Sequence, residues 1–129
     1  MPSITLTRAN GATHTISGAS DEELYIELGK EAPDRLTILA NGEEIEGEGR
    51  IEFRELVPTG GETEVGRGLF YAPEGGGEDL AALLTQPGTS LRLSDGRTFA
   101  ATARLLAAFT ANVSRWQVFE ARLFAREVA

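Results

Sequence analysis

Residues 91–125, LRLSDGRTFAATARLLAAFTANVSRWQVFEARLFA, decide the fold. Leu91 and Leu93 alternate with polar neighbours, Asp95-Gly96 supplies a tight turn, and Thr98 and Phe99 begin a return strand. From Phe99 the apolar residues keep to every second position, through Ala101, Ala103, Leu105, Ala107 and Phe109. That is the period at which a strand shows one face to a core. Phe119, Ala121, Leu123 and Ala125 repeat it, so two long paired strands turning near Asn112 are expected. A helical reading competes, because residues 100–111 are alanine-rich and Trp116, Phe119, Leu123 and Phe124 also share a helical stripe. The strand reading is preferred because the Asp95-Gly96 turn already commits Phe99 to a hairpin.

Two further hairpins lie upstream. Ile4 and Leu6 alternate with Ser3, Thr5 and Thr7 ahead of Asn10-Gly11, and Thr13, Thr15 and Ile16 resume a β-rich run. Leu36, Ile38 and Leu39 precede Asn41-Gly42, and Ile45 follows it. Three such turns in a short chain imply an antiparallel sheet closed into a barrel or folded into a sandwich. Between these hairpins Ser20 and Glu23 form a capping box, yet Leu24, Ile26 and Leu28 also alternate, so a short strand or a single helical turn is expected there. Asp79 to Gln86 reads as a short helix with Leu80, Leu83 and Leu84 on one face, stopped by Pro87-Gly88.

Residues 58–77 hold Gly60-Gly61, Gly66, Gly68 and Gly75-Gly76-Gly77. Glycine-rich backbone is entropically costly to order, so this segment is expected to be a mobile loop or the tip of a protruding hairpin. The chain therefore reads as one mainly β domain, residues 1–129: an antiparallel barrel or sandwich with one short helix and a long glycine-rich hairpin loop.

Composition narrows the function. Hydrophobic residues at 41% and charged residues at 25% are ordinary globular proportions. Twenty acidic residues against twelve basic ones give a net charge of -8, which repels phosphate backbones, so no nucleic-acid partner is expected. Arg115, Arg122 and Arg126 are interrupted by Glu120 and Glu127 and read as a solvated face. The absence of cysteine removes disulfides, thiolate metal sites and cysteine nucleophiles, and is compatible with a reducing compartment. No apolar run is long enough to insert into a membrane, and the protein is expected in the cytoplasm where it is made.

Catalytic residue types are scarce. The single histidine, His14, sits among Thr13, Thr15 and Ser17 and reads as an exposed strand residue without a catalytic partner. Glu43, Glu44, Glu46 and Glu48 lack the spacing of a calcium loop and read as an outer strand face. Gly66-Arg67-Gly68 and Gly75-Gly76-Gly77 invite a phosphate-loop reading, but no GKS or GKT element accompanies them. No catalytic residue, metal or cofactor is expected. The reading is a non-enzymatic structural or assembly subunit that docks a protein partner, foremost copies of itself, through its extended hairpin. Val65, Leu69, Phe70, Tyr71 and Trp116 are the expected contact residues. Alternatives are a ligand-binding or regulatory β module of a bacterial cell, and a small carboxylate-dependent hydrolase. In general style, over the whole chain, it resembles the small tail, head-closure (head–tail connector) and decoration proteins of tailed bacteriophages, which implies the virion as its destination.

Overall fold

Turn geometry sets the strand order. Asn41 and Gly42 both take positive φ (51° and 79°), as do Asn112 and Val113 (53° and 56°), the twist that lets two strands return directly on each other. The computed structural model describes residues 2–8, 10–59, 62–74, 80–84, 86 and 88–127. In chain order the elements are β1 (Ser3–Thr7), β2 (Thr13–Ser17), α1 (Asp21–Glu31), β3 (Asp34–Ala40), β4 (Glu43–Thr59), β5 (Glu62–Pro73), α2 (Leu80–Leu84), β6 (Ser90–Arg92), β7 (Thr98–Ala111) and β8 (Ser114–Glu127). The protein is mainly β: β3-β4-β5-β8-β7-β6 form a closed antiparallel barrel, and β1-β2 form a separate hairpin sheet. The strand reading of residues 99–125 and the Asn112 turn are as expected from the alternation.

The β5-β8-β7 part of the sheet is covered on both faces. Phe70, Ala72, Phe99, Ala101, Phe119, Ala121 and Leu123 point into the barrel, where they meet Leu36, Ile38 and Leu91, and α2 adds Leu80, Leu83 and Leu84. On the outer face Leu69, Tyr71, Phe109, Ala111 and Val118 pack against Ile4, Leu6 and Ile16 of the hairpin, Leu24 and Leu28 of α1 and its capping residue Ala32. A register shift between Leu105 and Ala107 switches β7 from the inner core to the outer one partway along its length. Each large side chain buried this way contributes roughly 1.5 to 3 kcal/mol before ordering costs.

Two expectations are corrected. Residues 21–31 form an eleven-residue helix, not a strand or a single turn. The Ser20 hydroxyl accepts from the Glu23 N–H at 3.2 Å and the Glu23 carboxylate accepts from the Ala19 N–H at 3.0 Å, so the capping box forms in full. Leu24 and Leu28 are buried and Ile26 is exposed, so spacing by four prevails over alternation.

The second correction concerns residues 58–77. Residues 62–73 are a barrel strand, and Val65, Leu69, Phe70 and Tyr71 are 8%, 4%, 0% and 1% exposed, which makes them core residues, not a docking tip. Gly60, Gly61 and Gly75 to Gly77 lie outside the described residues. At Gly68 β4 and β5 approach too closely for a side chain, while a Cβ on Gly66 would press on Ile51 Cγ2 at 3.1 Å. A Cβ on Gly49 would collide with the Leu69 carbonyl oxygen, one on Gly68 with that of Arg50, and one on Gly47 would sit 2.5 Å from that of Tyr71.

Gly49→Ala and Gly68→Ala are each expected to destabilise the fold by about 3 kcal/mol, read as a lower urea midpoint, because the obstacle is backbone and cannot swing aside. Val113→Gly is expected to raise stability by about 1 kcal/mol, since a fully exposed β-branched residue now occupies a left-handed position.

Candidate functional site

Beyond the area covered by the hairpin, the outer face of β5-β8-β7 turns from apolar to charged. Arg67 follows the phase of Leu69 and Tyr71 on β5, while Glu120 and Arg122 follow that of Val118 on β8. Arg67 and Arg122 face each other directly across the strands, a pairing that repels unless an anion intervenes. Glu64 is that anion. Its carboxylate accepts from Arg67 Nε at 2.9 Å and Nη2 at 3.2 Å, and from Arg122 Nε at 2.9 Å. Glu120 accepts from Arg104 Nη2 and lies 3.6 Å from Arg67 Nη1. The result is a chain of alternating charges, Arg122–Glu64–Arg67–Glu120–Arg104, whose two carboxylate side chains are each only 5% exposed.

Burial by itself raises the Glu64 pKa, but hydrogen bonds and charge from Arg67 and Arg122 outweigh it and hold the carboxyl below the ordinary value. Tyr71 moves the other way. Burial first, and then its O–H donation to Glu48 at 2.8 Å, push the phenol far above its usual range, so it stays a neutral donor.

Arg67 also walls a cleft of about 310 Å³ between the β1-β2 hairpin, the end of α1, and strands β4 and β5. Its floor is Leu6, Ile16, Ala32, Gly68 and Leu69, and its rim carries Arg8, Lys30, Arg50 and Arg67 with Glu31 and Glu52. Arg8 Nη2 donates to Glu52 at 2.8 Å and Lys30 Nζ to Glu27 at 3.2 Å. His14 stands on the same rim, its Nε2 2.8 Å from Glu31 Oε2, so it is half-buried and partnered, contrary to the expectation of a lone exposed imidazole. None of the described residues lining the cleft carries a hydroxyl or thiol, so the imidazole–carboxylate pair has no side-chain nucleophile beside it there. A cationic rim over an apolar floor can hold an anion.

The other sequence-chosen residues are scattered. Trp116 is half-buried, with its ring 4.7 Å from that of Tyr25 and its Nε1 donating to the Ala111 carbonyl at 3.0 Å, so it fastens α1 to the barrel. Glu44 contacts Arg92 at 3.3 Å and Glu48 receives the Tyr71 hydroxyl, and among the described residues no group of three or more potential ligands could hold a metal. Arg115 lies 3.4 Å from Glu74, Arg122 belongs to the charged chain, and Arg126 lies outside the described side chains, so these three arginines form no single face. Arg8, Lys30, Arg50 and Arg67 come from four different elements or their flanks, and only the isolated Gly66-Arg67-Gly68 drew notice in sequence. The chain matches no protein-family model, no curated protein and no solved structure.

Glu64 links stability to pH. A carboxyl with a lowered native pKa contributes stability that is present above its unfolded value of 4.5 and lost as pH falls through the native value. The urea midpoint of the wild type should therefore drop on acidification below pH 4.5, and Glu64→Gln should flatten that part of the profile while lowering stability at neutral pH. An unchanged acid limb in the variant would remove Glu64 as its source.

Proposed function

We propose that the protein is a non-catalytic assembly subunit whose copies join along the free edge of β7. One observation carries this reading: Leu105 is opposite the buried Phe119, hence on the barrel's inner face, yet it is 43% exposed. It is uncovered because β6 is only three residues long. β6 pairs with β7 no further than Ala100, and the Ala101 N–H to Thr89 carbonyl bond at 3.0 Å is the last backbone link on that side among the described residues. An unpaired edge and an uncovered inner-face leucine thus coincide.

A free stretch on β4, beyond Gly49, is blunted by contrast. A register shift lies between Phe53 and Val57 and is followed by Pro58, two devices that discourage strand addition. The β7 edge has no proline, and no acidic residue occurs from Ala100 to Phe119. Two subunits of net charge -8 repel each other over most of their surfaces, and this is a strip where they meet without bringing carboxylates together. Antiparallel pairing of the same edge from two copies is self-complementary and brings the two Leu105 side chains together about a two-fold axis. The setting this reading supports is that of a virion component of the tail, head-closure or decoration type.

Sedimentation velocity of the purified chain is expected to show a dimer or a multiple of it. Leu105→Arg should shift it to monomer while leaving the thermal midpoint nearly unchanged, because Leu105 is exposed within the subunit. A monomeric wild type at concentrations of about 100 µM, weaker than the micromolar range of working interfaces, overturns the proposal. So does an assembly indifferent to Leu105→Arg, which would place the contact elsewhere.

A further inference from the structure

We infer that the cleft between the β1-β2 hairpin and the end of α1 binds a small phosphate monoester, its phosphate on the cationic rim and its apolar body on the floor. This is independent of the assembly proposal, which concerns the far strand of the sheet.

The argument begins with unused donors. Arg50 lines the cleft, is exposed, and makes no side-chain hydrogen bond or ion pair, so all five of its N–H groups are available. Arg67 commits only Nε and one Nη2 hydrogen to Glu64, and its Nη1 stands 3.6 Å from Glu120, beyond hydrogen-bond reach. It is therefore held in place by two buried carboxylates while keeping donors free, the condition for a preorganised anion contact. Lys30, bound only to Glu27 through one hydrogen, adds a further charge.

Charge balance selects the ligand class. Glu52, Glu27 and Glu64 engage Arg8, Lys30 and Arg67, so the uncompensated positive charge is that of Arg50, and the donors left free on Arg50, Arg67 and Lys30 suit the several oxygens of a phosphate monoester, which carries roughly -1.5 to -2 charge at neutral pH. A carboxylate ligand would bring a single charge and two acceptor oxygens, leaving guanidinium donors unmatched. The concentration is local: Arg8, Lys30, Arg50 and Arg67 on this rim, with Arg104 and Arg122 beside it, are half of the chain's twelve basic residues. Such a focus in an otherwise acidic protein draws anions to one place. The volume fits a ring-sized group plus a phosphate, and Leu6, Ile16 and Leu69 supply an apolar surface beneath it.

The probes are phenyl phosphate, inorganic phosphate and benzoate, titrated into the uniformly 15N-labelled full chain. Phenyl phosphate should give saturable shifts at the amides of Ile16, Arg50, Gly68 and Leu69, and bind about tenfold more tightly than either inorganic phosphate or benzoate. Arg50→Ala should weaken it by about tenfold, with Arg50→Lys in between. Arg50 is unpaired and exposed, so the variant should keep its fold, which the dispersion of the same spectra reports. Leu105→Arg should bind like the wild type, which separates this site from the assembly edge. Non-saturable shifts, equal binding by Arg50→Ala, benzoate as tight as phenyl phosphate, or inorganic phosphate as tight as the ester would each overturn the inference.

Discussion

The close approach of β4 and β5 is the constraint on which the rest of the structure depends. Where Gly47 and Gly49 run beside Leu69, Phe70 and Tyr71, and Gly68 beside Arg50 and Ile51, backbone occupies the space that side chains would fill. That proximity lets two long strands coil enough for three-residue β6 to bridge β3 and β7 and close the barrel. It also fixes the phase of β5. Phe70 and Ala72 are turned inward, while Arg67, Leu69 and Tyr71 are turned outward to the hairpin, the helix and the charged chain.

From that phase follows the division of the outer face. The β1-β2 hairpin and α1 are too small to cover the whole of β5-β8-β7. They seal the half where Leu69, Tyr71, Val118 and Phe109 stand, and leave the half where Glu64, Arg67, Glu120 and Arg122 stand. A buried carboxylate without partners would cost several kcal/mol, so the uncovered half is stable only because each carboxylate has arginines on either side. The cleft lies on the border between the two halves. It takes its floor from the apolar side and its rim from the charged side, and this makes it amphipathic.

Legibility in the sequence followed the range of the interaction. Turn dipeptides and alternation are local, so the hairpins at Asn10-Gly11, Asn41-Gly42 and Asp95-Gly96 and the two long strands were readable, as was the short helix at Leu80–Leu84. The glycines of β5 were misread because composition alone cannot separate a glycine that frees a loop from one that admits a neighbouring backbone. Gly68 is of the second kind, and Val65, Leu69, Phe70 and Tyr71 were assigned to a partner when they are buried within the subunit's own two cores. In α1, alternation and helical spacing coincide over five residues, and what decided between them was the tertiary surface waiting for Leu24 and Leu28. The site was less legible still. Arg8 and Glu52 are 44 residues apart, and Arg122 and Glu64 are 58 apart, so no window of sequence contains either pair.

The same sheet accounts for why an unpaired edge persists in so small a barrel. β7 changes faces at the shift between Leu105 and Ala107, serving the inner core before it and the outer core after it. On one flank β7 stays paired with β8 through that switch, while on the other β6 pairs only with Thr98, Phe99 and Ala100. The uncovered Leu105 therefore stands past the end of three-residue β6 and just before the switch, on the inner face but beyond the strand that would have flanked it. On the proposed assembly, a second copy at that edge would add backbone partners and apolar cover from outside, where the subunit's own chain has none to offer among its described residues.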